Sequence, residues 1–142
     1  MTKRAAAFAA LPFALSFFAA AGAQAQSCAD NFKSAGVPMV TAITYRTWDL
    51  IPNRKPAVVL SPLARAIAAD GFGNIEVDKA GATVSAMQET SGSGRPQFLK
   101  VTAKTSGPAT RVDMVFTVQP GQIANEPSAR AFMCRVIAAA RR

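Results

Sequence analysis

Between Thr41 and Ile51 the chain alternates with the two-residue period of a strand. TAITYRTWDLI sets Ile43, Tyr45 and Thr47 on one face and Thr44, Arg46 and Trp48 on the other, and its β-branched and aromatic content suits a pleated surface. Pro52-Asn53-Arg54-Lys55-Pro56 breaks the run. The period then changes: Leu60, Leu63, Ala64 and Ile67 recur at helical spacing until Gly71. Ser61 before Pro62 offers an N-cap and a first helical residue, so the helix starts or is kinked there.

Extended patterns follow Phe72-Gly73. Ile75 and Val77 alternate with Glu76 and Asp78, Lys79-Ala80-Gly81 punctuates, and Thr83 to Glu89 resumes with Val84 and Ala86 against Ser85 and Met87. One bent strand and a hairpin both fit. Ser91-Gly92-Ser93-Gly94-Arg95-Pro96 is a flexible connection. Phe98 to Thr105 then sets Leu99, Val101 and Ala103 against Lys100, Thr102 and Lys104. After Ser106-Gly107-Pro108, the segment Arg111 to Val118 lines up Val112, Met114, Phe116 and Val118 on one face. The last pattern is helical: Asn125 or Ser128 caps a run whose stripe is Ala129, Phe132, Met133, Val136, Ile137 and Ala140.

Short connections favour antiparallel pairing over parallel crossovers. The expected fold is therefore α+β: an antiparallel sheet of three to four strands with two helices packed on one face, in the order helix, strands, helix. No internal repeat and no second domain are visible.

Composition adds a compartment. Lys3 and Arg4 precede an apolar run from Ala5 to Ala21, and Ala23-Gln24-Ala25 is a small-x-small cleavage site, the order of a secretory signal peptide. The run contains Pro12 and is short for a bilayer span, which disfavours a retained anchor. Gln26 stands where a bacterial lipoprotein signal carries a small residue, which disfavours lipid attachment at Cys28. Residues 1–25 are thus expected to be a signal peptide and 26–142 a single α+β domain, periplasmic or secreted, with no transmembrane segment after cleavage. The chain carries 16 Lys+Arg against 8 Asp+Glu; cleavage removes two cations and no acid, leaving 14 against 8 and a net charge of +6.

The chain has no histidine and two cysteines. That removes Ser-His-Asp triads, Cys-His pairs, imidazole bases and every zinc set that needs His or four thiolates. In an oxidising compartment Cys28 and Cys134 are expected to pair, the alternative being two buried thiols. Cys134 falls on the flank of the terminal helix shared with Arg130 and Arg141, so the segment around Cys28 should lap over the outer side of that helix.

LARAIAADGFGNIEVDKAGATVSAMQ, followed by two long strands and a helix, resembles the small helix-grip envelope domains typified by the C-type accessory lipoprotein of the outer-membrane barrel-assembly machinery. The resemblance rests on Leu63, Ala64, Ile67, Gly71, Ile75, Asp78, Gly81 and Val84 and spans residues 57 to 140. It implies a non-enzymatic accessory role in an envelope assembly.

Candidate chemistry is sparse. Glu76 and Asp78 share a strand face, as a carboxylate pair for acid and base work would, although a solvated face explains them as well. Asp30, Asp49, Asp70 and Asp113 are scattered, and Ser61, Ser85 and Ser91 lack a histidine base; pairing any of them with Lys79 or Lys100 needs a fold to establish it. The Ser91 to Arg95 loop lacks the spacing of a phosphate-binding loop. Arg95, Lys100, Lys104 and Arg111 form the candidate anion-binding set, because the two lysines share a strand face and the arginines flank it across the turns. Tyr45 and Trp48 are not interleaved with that strand, and export removes the chain from nucleic acid, so nucleic acid is not an expected partner.

The expected function is a non-enzymatic accessory or binding module of the bacterial cell envelope with an envelope protein as partner. The alternative is a basic protein that binds anionic lipid or glycolipid surfaces, and a third reading is a carboxylate-dependent hydrolase. No metal and no cofactor are expected.

Overall fold

The computed structural model describes residues 23–89 and 94–142; the signal-peptide run lies almost wholly, and the Ser91-Gly92-Ser93 connection wholly, outside them. The chain runs α1 (Ala23–Asp30), β1 (Lys33–Ala35), β2 (Ile43–Pro52), α2 (Pro56–Ala69), β3 (Gly73–Asp78), β4 (Thr83–Glu89), β5 (Pro96–Ser106), β6 (Ala109–Val118) and α3 (Glu126–Ala139). The fold is α+β, but the expected count is wrong in both layers. One six-stranded antiparallel sheet, in the order β1-β2-β6-β5-β4-β3, replaces the three to four strands, and three helices replace two. The extra strands come from Ile75–Val77 and Thr83–Glu89 being separate members of a hairpin and from β1. The extra helix is α1.

The meander β3-β4-β5-β6 is local, and β2 then closes the far side by pairing with β6 over its whole length, from Ile43 opposite Val118 to Pro52 opposite Ala109. Alternation sorts the sheet into two faces. Ile43, Tyr45, Thr47, Asp49 and Ile51 of β2 align with Val112, Met114, Phe116 and Val118 of β6 and with Leu99, Val101 and Ala103 of β5, all buried. The helices cover this face, α2 against β3, β4 and β5, α3 against β2 and β6, and α1 against β2 and α3. Leu63, Ile67, Met133 and Ile137 meet the strands with no measurable exposure, each contributing roughly 1.5–3 kcal/mol by leaving water.

Local chemistry sets the ends of the helices. α2 begins at Pro56 and runs through Pro62, so Ser61 is an interior residue and not its cap. Its C-terminus is a Schellman turn: Gly71 at φ +89° donates its N–H to the Ala68 carbonyl and Phe72 donates to Ile67. The turn drives Phe72 under the sheet, where it lies edge-on to Phe116 at 5.9 Å and stacked on Phe132 at 5.4 Å. Asn125 caps α3 by accepting from the Ser128 N–H, which settles the choice between those two residues.

Cys28 and Cys134 are disulfide-bonded, 106 positions apart in sequence and with Cα atoms 5.7 Å apart. The bond ties α1 to α3, but α1 does not lap over the outer side of that helix as expected: Cys28 is buried against Thr47 on the inner face of β2, and α1 packs on both β2 and α3. Thr47 supports the strap by donating its hydroxyl to the Cys28 carbonyl at 2.5 Å.

Tyr45 joins the sheet to the loop before α3, donating its hydroxyl to the Ala124 carbonyl at 2.9 Å. Burial first, and the Glu126 carboxylate second, push its phenol above the ordinary tyrosine value. The folded protein therefore holds this proton more tightly than the unfolded chain does. Its contribution to stability is complete below pH about 10 and is lost as pH rises through the higher folded-state midpoint. Tyr45 is the single tyrosine, so tyrosinate absorbance reads it alone. We expect a native midpoint above the one measured in urea; equal midpoints would show that neither burial nor Glu126 acts on it.

Candidate functional site

With the helices of the described residues on one side, no described element covers the other face of the sheet, and its register decides which side chains meet there. One transverse row carries Lys33 of β1, Arg46 of β2, Val115 of β6, Lys100 of β5, Ser85 of β4 and Glu76 of β3. Arg46 and Lys100 flank Val115, one strand away on each side, about 10 Å apart at normal strand spacing. The next row holds Trp48, Asp113, Thr102, Thr83 and Asp78, and the one after it Leu50, Arg111 and Lys104.

Arg111 is fixed here. Its guanidinium donates from Nε and Nη2 to the Asp113 carboxylate at 2.8–3.1 Å and lies 4.2 Å from the centre of the Trp48 ring. This is a bidentate ion pair laid over an aromatic face, a preorganised arrangement of a half-buried tryptophan under a cation. Among the described residues Arg46, Lys100 and Lys104 have no carboxylate partner, so the face keeps a positive excess around Val115, with Glu76 and Asp78 confined to its β3 edge. Leu50 and Phe98, 40% and 43% exposed, and half-buried Val115 and Met87 add apolar surface between the charges.

The expected anion-binding set is therefore brought together only in part. Lys100, Lys104 and Arg111 share the open face, Arg111 directly opposite Lys104. Arg95 does not join them. It precedes Pro96 at the other end of β5, nine residues or about 30 Å from Lys104 at strand rise, and its guanidinium donates to the Pro120 carbonyl. Arg46, Lys33 and Trp48 take its place. The signal for Arg46 and Trp48 was present in the alternation of β2, but their neighbours are set by the β2–β6 pairing, which joins segments more than sixty residues apart. The non-interleaving of Trp48 with the basic residues is accordingly corrected, whereas Tyr45 is core.

Asp49, Asp70, Asp78 and Asp113 have structural partners, whereas Glu76 has none among the described residues. Glu76 and Asp78 do share the open face at its β3 edge, but the Asp78 carboxylate accepts from the backbone N–H groups of Ala80 and Gly81 at 2.9 and 3.0 Å and so forms the β3–β4 turn. Asp49, 3% exposed, accepts from Ser27 at 2.6 Å, from the Leu50 N–H at 2.8 Å and from Arg141 at 2.8 Å. Asp70 pairs with Arg135 across α2 and α3. No group of three metal-ligating residues occurs among the described residues, nor any helix long and apolar enough to cross a membrane.

No family model and no curated protein matches the chain. Among solved structures it is similar to the crystal structure of Ara h 8.0201, with a TM-score of 0.43 and 12% sequence identity over 70% of this chain and 95% of that one.

Proposed function

We propose that this protein is an exported, non-enzymatic binding module of the cell envelope that docks an acidic protein surface onto the open face of its sheet. The observation that carries this reading is the row Lys33, Arg46, Val115 and Lys100 lying beside the Trp48–Arg111–Asp113 stack. Arg, Trp, Phe and Met around a small apolar centre are the composition of protein-binding hot spots, and the positive excess selects a partner of opposite sign. Export is supported by the basic head and apolar run of residues 3–21 and by the disulfide, which persists in an oxidising compartment. A lipid headgroup layer would use the cations alone. Here one of them is committed to Asp113, and the apolar side chains sit between the rest.

The test is crosslinked co-purification of tagged residues 26–142 from envelopes at low and high salt, identifying proteins and lipids together. Expected is one stoichiometric protein with an acidic surface, retained at high salt because apolar contacts survive screening. Recovery of only anionic lipid or glycolipid, lost at high salt, overturns the protein reading in favour of a charged-surface binder.

A further inference from the structure

A second concavity lies on the opposite side of the sheet, where β4 and β5 end beneath the start of α3. Its volume is about 310 Å³. Phe72, Phe116 and Phe132 line it, held against one another at 5.4 to 5.9 Å between ring centres. Three carboxamides line this space, Asn125, whose Oδ1 is committed to the α3 cap, and the two glutamines of the sheet. Gln88 and Gln97 are direct cross-strand partners on the helix-covered face, and both line the crevice. Gln97 as a residue is only 5% exposed and its side chain makes no hydrogen bond among the described residues, yet its amide is not sealed off: it lines the crevice and stays open to it. Both the donors and the acceptor of that amide are therefore free to meet a guest in the crevice.

We infer that the crevice binds a small neutral planar molecule of one or two rings carrying a carboxamide or similar donor–acceptor edge, read by Gln97 and Gln88. An apolar cavity of about 150 Å³ holds benzene, so roughly twice that volume suits a two-ring body against the three phenylalanines. A carboxamide edge meets the acceptor and donors of a glutamine amide in complementary fashion. The Asp70 carboxylate on the wall is paired with Arg135, and no cation among the described residues lines the crevice, so the lining suits a neutral ligand. Gly71 leaves space for the Gln88 amide, since a Cβ there would stand 3.1 Å from its Nε2. The site is independent of the open face, because the sheet separates the two.

The test titrates the folded chain with naphthalene-2-carboxamide, naphthalene and naphthalene-2-carboxylate by calorimetry, while NMR follows the side-chain NH₂ signals of Gln88 and Gln97. Expected is tightest binding of the carboxamide, shifts at both glutamines, and no change at Trp48 on the other face. Gln97→Leu should weaken the carboxamide about tenfold or more and leave naphthalene unchanged or tighter. Ser128→Trp, at an exposed rim position, should block all three probes while keeping the native amide spectrum. Absence of carboxamide binding at millimolar concentration, or equal binding of the carboxamide by wild type and Gln97→Leu, would overturn the assignment. So would persistence of binding in Ser128→Trp.

Discussion

Removing the Cys28–Cys134 bond, by the double substitution Cys28→Ala/Cys134→Ala or by reduction, is expected to lower the free energy of unfolding by about 4–5 kcal/mol. In the chain-entropy picture a bond closing a loop of about a hundred residues restricts the unfolded ensemble by that amount, and the separation here is 106. The native side adds to the effect. α1 is an eight-residue helix, too short to persist alone, and besides the bond it is held by few directed contacts, among them Ser27 to Asp49, Thr47 to the Cys28 carbonyl and Asn31 to the Trp48 carbonyl. Against a usual domain stability of 5–15 kcal/mol, the loss is a large fraction of the whole. Urea unfolding of the oxidised and double-alanine proteins measures it as a shift in midpoint. A change below about 1 kcal/mol would mean that the unfolded chain is already compact or that α1 holds without its strap.

The second large effect falls on binding. Arg46→Glu with Lys100→Glu reverses both charges flanking Val115, and the envelope complex is expected to weaken by a factor of a hundred or more. Each reversal exchanges an attraction for a like-charge contact with an acidic partner, and such contacts cost several kcal/mol at an interface. Both side chains are exposed and without a carboxylate partner among the described residues, so stability should change by no more than about 0.5 kcal/mol per site. Arg65→Glu, on the exposed side of α2, is the matched control and should leave the complex intact. Equal loss in the double variant and in Arg65→Glu would point to overall charge rather than to this face.

The amphipathic parts of the fold were legible because burial writes its period into the sequence. The inner face of β2 and most of the stripes of α2 and α3 are readable residue by residue, and the position of Cys134 beside the α3 stripe follows from its angle on the helix, although its partner segment lies against β2 and not over the outer side. α1 and β1 were not legible. α1 buries Cys28 but is only eight residues long, too short to show a helical repeat, and Lys33, Ser34 and Ala35 of β1 are all exposed and imprint no alternation. Pairing was the other blind spot. Alternation assigns a residue to a face but not to a neighbour, so Arg95 was grouped with Lys100 by proximity in the chain, while Arg46 and Trp48 reached the basic strand through β6. The aromatic crevice was hidden for the same reason: Gln88 and Gln97 look like ends of strands until the register sets them side by side.

The most direct measurement of the central claim is site-specific photocrosslinking in intact envelopes from Thr102, at the centre of the open face, and from Ala131, exposed on α3. A single protein captured from Thr102 and not from Ala131, and lost in the Arg46→Glu/Lys100→Glu variant, is the predicted result. Capture of the same protein from Ala131 alone, or of nothing but lipid from Thr102, would contradict it.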